Sequence, residues 1–132
     1  MNRPKIIGSA PILLVRDVEA AANHYRDKLG FQYDRFWGEP PNFCILYRDR
    51  HHLMLALAED PSTIIPHHKV SENMWNVYFW VDDVDSMYEE FVQSGADIDY
   101  ALCDQPYGCR EFGIQDLDGY DIAFGQDMDG AD

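Results

Sequence analysis

The sequence has few of the features that place a chain in a membrane or outside the cell. No hydrophobic run approaches the ~20 residues that a membrane span requires, and the short apolar stretch near the N-terminus leads directly into a strand-and-helix pattern rather than a signal peptide. The three cysteines, Cys44, Cys103 and Cys109, form no CxxC pair, which predicts neither a disulfide framework nor a zinc site. We therefore expect a cytoplasmic protein with no membrane partner.

Basic residues are almost absent from the second half of the chain. Residues 71–132 contain sixteen acidic residues and one basic residue, Arg110, whereas residues 1–70 are nearly balanced. Because nucleic-acid binding depends on Lys and Arg side chains that neutralise phosphates, this composition argues against a nucleic-acid partner. The negative field either favours cationic ligands or only keeps the protein in solution. Composition leaves both explanations open.

The chain contains two copies of one pattern. Residues 15–18, VRDV, match residues 81–84, VDDV, and each motif follows an apolar strand and precedes an amphipathic helix. Each predicted helix is capped by the aspartate of the motif and ends at a glycine, respectively Asp17 and Gly30, and Asp83 and Gly95.

Three further strands are predicted after each helix. They read FQYDRFWG, NFCILYRD and HHLMLALAE in the first unit, and ADIDYALC, CREFGIQD and YDIAFGQ in the second. Asp118-Gly119 predicts a two-residue turn between the last two strands. The units span about residues 8–58 and 74–126, and a polar, proline-containing linker covers about 59–73. We expect one α+β domain over residues 1–132, in which two tandem βαβββ units form a curved mixed-sheet cup with helices outside.

The opening of the chain, its repeat and its ending together resemble the vicinal oxygen chelate superfamily. The opening is VxDV–helix–LGF over residues 15–31, and the ending is REFGIQDLDGYDIAFG. This superfamily contains glyoxalase I, extradiol dioxygenases, fosfomycin-resistance enzymes and bleomycin-resistance proteins. The stretch of residues 107–112, YGCREF, is most similar to the bleomycin-resistance branch. That resemblance implies a homodimer that traps a small-molecule ligand in crevices between its subunits.

The resemblance also implies where a catalytic divalent metal would bind, on the first, fourth, fifth and eighth strands. The corresponding positions are Ala10, Met54 or Ala56, Asn76 and Ala123. None is His, Glu or Asp, so we expect no metal site and no cofactor. His52 and Asp121 share strand phase with these positions and form a fallback site for one divalent metal. We expect the remaining histidines of interest, His24, His67 and His68, to be solvated surface residues.

Residues two positions along each strand from the implied metal positions are apolar or aromatic. They are Ile12, Leu14, Tyr78 and Trp80. The cup then either binds a flat, partly apolar molecule or is closed by core packing. Our candidate ligand-binding residues are Asn76, Tyr78, Trp80, Trp37, Tyr47, Met54, Tyr107 and Glu111. Glu111 either adds negative charge beside aromatic rings or is an exposed strand residue paired with Arg110.

Three functions fit these observations. The first is a metal-free binding protein of the bleomycin-resistance type, which sequesters an amphipathic or cationic ligand in an aromatic cleft. The second is a metal-dependent enzyme of the glyoxalase or dioxygenase type with displaced ligands. The third is a metal-free enzyme in which Tyr78, Glu111 or His52 carries out acid–base catalysis. We favour the first and predict no catalytic residues, because the sequence shows no paired carboxylates and no base–nucleophile spacing.

Overall fold

The structure, a computed structural model that describes residues 2–130, consists of two βαβββ units joined by a linker. The first unit contains β1 (Ile12–Val15), α1 (Val18–Leu29), β2 (Gln32–Trp37), β3 (Phe43–Arg48) and β4 (His51–Leu57). The linker contains two short 3-10 helices, Pro61–Thr63 and His67–Lys69. The second unit contains β5 (Val77–Trp80), α2 (Val84–Ser94), β6 (Asp97–Asp104), β7 (Cys109–Gln115) and β8 (Asp121–Asp127). Neither α1 nor α2 has the length and apolar character that a membrane crossing requires.

Both helices begin and end at the predicted residues. The Asp17 and Asp83 carboxylates accept hydrogen bonds from backbone N–H groups three residues later, at 3.0 and 3.2 Å. Gly30 and Gly95 have φ angles of 71° and 82°, a left-handed conformation in which glycine carries no steric penalty. Local sequence therefore determines the ends of both helices.

Each unit forms its own four-stranded mixed sheet. The strand orders are β1-β4-β3-β2 and β5-β8-β7-β6, in which β1 pairs parallel with β4 and β5 pairs parallel with β8. The remaining pairs are antiparallel. This topology confirms the predicted α+β arrangement of two tandem βαβββ units.

One face of each sheet packs on a helix, and the other face, here called the open face, does not. On β1, Leu13 and Val15 are buried, whereas Ile12 and Leu14 are 60% and 39% exposed. This alternation follows from the two-residue period of a strand. The helix-covered faces of both sheets contribute to a single hydrophobic core, in which the rings of Phe79, Phe112 and Phe124 stack.

The connection between β7 and β8 differs from the predicted two-residue turn. The strands end five residues apart, and residues 116–120 form the loop. The Asp116 carboxylate accepts backbone hydrogen bonds from Asp118 at 3.0 Å and Tyr120 at 2.9 Å, which closes the loop around this side chain. Gly119 alone takes a positive φ, 88°. The Asp118-Gly119 pair correctly predicted where the chain reverses between β7 and β8. It did not predict the role of Asp116, whose hydrogen bonds close a five-residue loop instead of a two-residue turn.

The β7–β8 loop also joins the second unit to the first. Four hydrogen bonds that involve side chains of this loop cross between them: Tyr25 Oη to Asp116 Oδ2 at 2.6 Å, Tyr120 Oη to the Leu14 carbonyl at 2.6 Å, and Arg16 N and Nη1 to Asp118 Oδ1 at 3.0 and 3.2 Å. Burial raises the pKa of the Asp116 carboxyl from its ordinary value of 3.8 to about 6. Folding therefore disfavours the charged form of Asp116 relative to the unfolded chain.

Asp116→Asn should change how stability depends on pH. Because the pKa of Asp116 is higher in the folded chain, the contribution of this carboxyl to stability falls by roughly 3 kcal/mol as pH rises from about 4 to about 6. The variant lacks this titration, so its free energy of unfolding relative to wild type should rise across the same window. Urea denaturation at a series of pH values measures this difference. Tyr25→Phe keeps the carboxyl but removes a hydrogen bond that lowers its pKa, so its stability should fall across this window at least as steeply as that of wild type. Parallel curves for wild type and Asp116→Asn would contradict the prediction.

Candidate functional site

The centre of the candidate site is a buried carboxylate on the open face of the second sheet. On β7, Phe112 and Ile114 point into the core, so Glu111 and Gly113 point to the opposite side. Glu111 is nevertheless fully buried, with 0% of its surface exposed. The alternative of an exposed Glu111 paired with Arg110 is therefore wrong, and Arg110 instead binds two other carboxylates, those of Asp85 and Asp104.

Four side-chain donors surround the Glu111 carboxylate. Oε1 accepts from the hydroxyls of Tyr78 at 2.9 Å and Tyr107 at 2.7 Å, and Oε2 accepts from the Tyr100 hydroxyl at 2.6 Å and Gln105 Nε2 at 3.3 Å. This arrangement matches the acceptor capacity of an ionised carboxylate, which has two lone pairs on each oxygen. Within residues 2–130, no Lys, Arg or His forms an ion pair with Glu111. Its charge is therefore balanced by neutral donors alone.

The three phenols remain protonated at physiological pH. Burial first, and then the hydrogen bond to Glu111, raises the pKa of Tyr78, Tyr100 and Tyr107 above the ordinary tyrosine value. Tyr100 also accepts a hydrogen bond from the Trp75 indole Nε1, at 3.0 Å. The donors thus form a connected network that extends from the linker to the carboxylate.

Two strand glycines make room for the tyrosines. A Cβ atom at Gly113 would overlap the Tyr100 ring, and one at Gly125 would overlap the Tyr78 hydroxyl. Gly113 pairs with Tyr100 across β6 and β7, whereas Gly125 pairs with Glu111 across β7 and β8. Because both positions lack side chains, the tyrosines can lie across the sheet and reach Glu111. Glycine inside a strand often marks such a close approach, so Gly113 and Gly125 are the sequence signal that points to this site.

A cavity of about 790 Å³ lies beside Glu111 and is here called the Glu111 cavity. Its aromatic wall consists of Trp75, Tyr100 and Tyr107. Its carboxylates are Glu72, Asp99, Glu111 and Asp121, and its lining includes no Lys or Arg. All lining residues belong to the linker or the second unit, so the first unit of the same chain does not close this cavity. Sequence analysis identified Tyr107, Glu111 and Asp121 but missed Trp75, Asp99 and Tyr100.

The linker forms one side of the Glu111 cavity and is held by hydrogen bonds. His67 N–H donates to Asn76 Oδ1 at 2.9 Å, and the His67 ring bonds to the Trp75 carbonyl at 2.9 Å. His68 Nε2 donates to the Gly119 carbonyl at 2.9 Å, because a carbonyl oxygen can only accept. The expectation that both histidines are merely solvated is wrong. Asn76, predicted as a polar group in the cup, already uses its amide oxygen to bind the linker.

A second cavity of about 680 Å³, here called the inter-unit crevice, lies between the two units. Tyr78 and Trp80 line it together with Asn76 and His52. Asp121 lines the Glu111 cavity instead, so His52 and Asp121, the fallback metal pair, belong to different cavities.

The other predicted residues lie on the first sheet. Trp37 lies under the Arg35 guanidinium, whose Cζ is 4.4 Å from the ring centroid. Tyr47 donates its hydroxyl to Gln32 Oε1 at 3.1 Å, and Met54 pairs with Ile12 across the parallel ladder. None of the three predicted residues lines the Glu111 cavity or the inter-unit crevice. The predicted ligand-binding residues therefore do not form one site, because some lie on the first sheet and the others lie in the second unit.

His24 is not the simple surface residue that the sequence suggested. Its Nε2 atom is buried and has no hydrogen-bond partner in the part of the chain that the structure describes. Burial lowers the pKa of His24, so the neutral ring is favoured. Because the ring is neutral, it can be buried without the cost of burying a charge.

The positions at which the resemblance implies a catalytic metal do not offer suitable ligands. Ala123 presents a methyl group beside Tyr78, and Met54 presents a thioether. The oxygen of Asn76 is engaged by His67. Over residues 2–130, no group of three or more His, Cys, Asp or Glu side chains is arranged to hold a metal ion. The residues present therefore do not fit the metal centre of the catalytic relatives.

Several solved structures are similar to this chain. The bleomycin-binding protein from bleomycin-producing Streptomyces verticillus, solved with copper(II)-bleomycin, is 27% identical with a TM-score of 0.69, covering 92% of this chain and 97% of that one. TioX from Micromonospora sp. ML1 is 22% identical with a TM-score of 0.72, covering 91% and 98%. A lactoylglutathione lyase from Agrobacterium tumefaciens is 20% identical with a TM-score of 0.70, covering 99% and 100%.

Sequence comparison gives the family directly. Among proteins with curated functions, no sequence matches this chain. A family model matches residues 8–124, which is most of the chain and includes both units. The chain therefore belongs to the Glyoxalase/Bleomycin resistance protein/Dioxygenase superfamily.

Proposed function

We propose that this protein is a metal-free small-molecule binding protein of the bleomycin-resistance type. It sequesters an amphipathic, cationic ligand on the open face of the second sheet. The observation that carries this proposal is the Glu111 cavity, in which a buried carboxylate with no basic partner among residues 2–130 lies among aromatic rings. The bleomycin-binding relative supports a small-molecule ligand.

The composition of the Glu111 cavity favours a ligand with a planar cationic group. A cation over the face of a Trp or Tyr ring gains roughly 0.5–2 kcal/mol. Asp99 and Asp121 add negative charge, and the lining contains no Lys or Arg, although His68 Nε2 lies 4.0 Å from Asp121 Oδ1. Trp75 and Tyr107 supply apolar surface for the uncharged part of the ligand. The acidic half of the chain then attracts such ligands over longer distances.

We further propose that the binding site is completed in a homodimer. The open face of the first sheet exposes apolar side chains, among them Ile12 at 60% and Leu14 at 39%. The open face of the second sheet exposes Trp80 at 65%. Because the Glu111 cavity has no wall from the first unit, the first unit of a partner subunit can cover it and bury both faces.

A cytoplasmic location is part of the same proposal. Cys44, Cys103 and Cys109 are all free thiols, two of them buried. Free thiols persist in a reducing compartment.

The two enzymatic alternatives have less support. A metal-dependent reaction needs three or four donors around open coordination positions, and the implied positions do not supply them. Acid–base catalysis would need its groups in one place, but His52 and Tyr78 line the inter-unit crevice whereas Glu111 lines the Glu111 cavity. The similarity to a lactoylglutathione lyase at 20% identity extends to the fold alone.

Calorimetric titration with copper(II)-bleomycin tests the binding function. We expect about one equivalent per chain, with affinity that falls as salt rises because the attraction is electrostatic. The double variant Asp99→Asn, Asp121→Asn should bind roughly tenfold more weakly. Asp85→Asn, which removes an acid outside the Glu111 cavity, is the matched control and should bind like wild type. Equal losses in both variants, or no saturable binding, would count against the proposal.

Light scattering after size-exclusion chromatography tests the proposed homodimer. Wild type should have the molar mass of two chains. Leu14→Glu should lower the measured mass toward that of one chain, because a buried unpaired charge is costly at an interface. Val92→Glu introduces the same charge on α2, where Val92 is 50% exposed, and should leave the dimer intact. A monomeric wild-type protein would refute the dimer.

Metal content tests the metal-free function. Untagged protein equilibrated with Mn²⁺, Fe²⁺, Ni²⁺ and Zn²⁺ and then dialysed should retain less than about 0.1 equivalent of each by mass spectrometry, because no suitable donor set is available. One tight equivalent that is lost in His52→Ala would instead support the displaced metal site.

A further inference from the structure

The four donors to Glu111 fall into two pairs according to the segment that carries them. Tyr78 on β5 and Tyr100 on β6 belong to strands, whereas Gln105 and Tyr107 belong to the turn between β6 and β7, residues 105–108. Each carboxylate oxygen accepts one bond from each pair. The turn therefore covers one lone pair on each oxygen of the same carboxylate.

The donors from the turn are easier to displace than those from the strands. Tyr107 is 53% exposed although its hydroxyl reaches a buried carboxylate. The Gln105 bond is the longest of the four, at 3.3 Å. Both side chains line the Glu111 cavity, as Tyr100 does, whereas Tyr78 does not. Tyr100 is the more firmly held, because its bond to Glu111 is 2.6 Å long and its hydroxyl also accepts from Trp75. A ligand in the cavity can therefore reach the two lone pairs that the turn covers.

Two lone pairs, one on each oxygen of a carboxylate, match the donor geometry of a forked planar cation. Amidinium and guanidinium groups place two parallel N–H bonds at this spacing, whereas an ammonium group is a point charge. Building on the proposed function, we propose that the ligand carries an amidinium or guanidinium group that binds Glu111 bidentately by displacing Gln105 and Tyr107. Tyr78 and Tyr100 keep their hydrogen bonds to the same carboxylate.

The exchange is favourable because neutral donors are replaced by charged ones. Charge-assisted hydrogen bonds are roughly twice as strong as neutral ones. Glu111 gains the counter-ion that residues 2–130 do not supply in the unliganded protein. Before binding, Gln105 and Tyr107 occupy the acceptor sites, so the carboxylate is not left buried and unsatisfied. Once displaced, both side chains return to water at the surface turn.

Three small probes that share a phenyl ring and differ in their polar group test the bidentate geometry at Glu111 on the intact protein. Benzamidinium is a planar cation with two parallel N–H donors, benzylammonium is a point charge, and benzamide is planar but neutral. By calorimetry we expect benzamidinium to bind about tenfold more tightly than benzylammonium and benzamide not to bind measurably. Equal binding of benzamidinium and benzylammonium, or comparable binding of benzamide, would overturn the proposal.

Two conservative variants test which phenol is displaced. Tyr107→Phe removes a donor that competes with the ligand, so benzamidinium should bind about three- to tenfold more tightly. Tyr78→Phe removes a donor to the same oxygen from outside the Glu111 cavity and should give no such gain. If both variants or neither bind more tightly, the assignment of the turn is wrong. Glu111→Gln should abolish benzamidinium binding, and retained binding in the folded variant would also overturn the proposal.

The two sets of titrations can fail independently, so they distinguish bidentate binding at Glu111 from the proposed bleomycin-type function. If benzamidinium binds in the predicted order but copper(II)-bleomycin does not, Glu111 is a forked-cation site and the bleomycin-type function fails. If copper(II)-bleomycin binds but Tyr107→Phe gives no gain for benzamidinium, the binding function stands and the displacement is refuted.

Discussion

The open face of the second sheet is organised around the need to satisfy one buried carboxylate. Glu111 has no basic partner within residues 2–130, so its charge is tolerated only because four donors surround it. That requirement explains why Gly113 and Gly125 lack side chains and why a turn is folded back over β7. Through Tyr100 and Trp75 it extends to the linker, whose position is set by further hydrogen bonds. The buried charge of Glu111 thus positions aromatic rings on the open face of the second sheet, and the alternation of apolar and polar residues along the strands does not predict their positions.

A second buried carboxylate, at the far end of β7, has a different role. Asp116 also accepts a tyrosine hydroxyl, but its other partners are backbone N–H groups of its own loop. Tyr25 comes from α1, so this bond joins the two units, while the network around Glu111 stays within the second unit and the linker. Four acidic residues of the second half are buried, namely Glu111, Asp116, Asp118 and Asp121. The strong negative charge is therefore partly structural and partly directed into a cavity, rather than spread only over the surface for solubility.

The sequence allowed prediction of what depends on local chemistry. Helix caps at Asp17 and Asp83, the repeat and the order of elements all follow from short-range patterns. Tyr100 could not be placed, because β-bulges on both sides of it reverse the alternation along β6: Ile98 packs on the core and Tyr100, two residues later, reaches Glu111. The burial of Glu111 and the bonds of the linker histidines depend on residues distant in sequence. Such contacts leave no periodic signal.

The site of this chain differs from a metal centre in the sign of its central charge. A divalent cation in the cup of the sheet collects oxygen and nitrogen acceptors from several strands, and it leaves open positions for acceptor atoms of a substrate. In this chain the central charge is an anion on β7, which collects hydroxyl and amide donors. Under the proposed function, the positions that this anion opens to a ligand accept donors, so the complementary ligand is a cation. The sign of the central group then determines which atoms gather around it, and the same fold binds ligands of opposite charge.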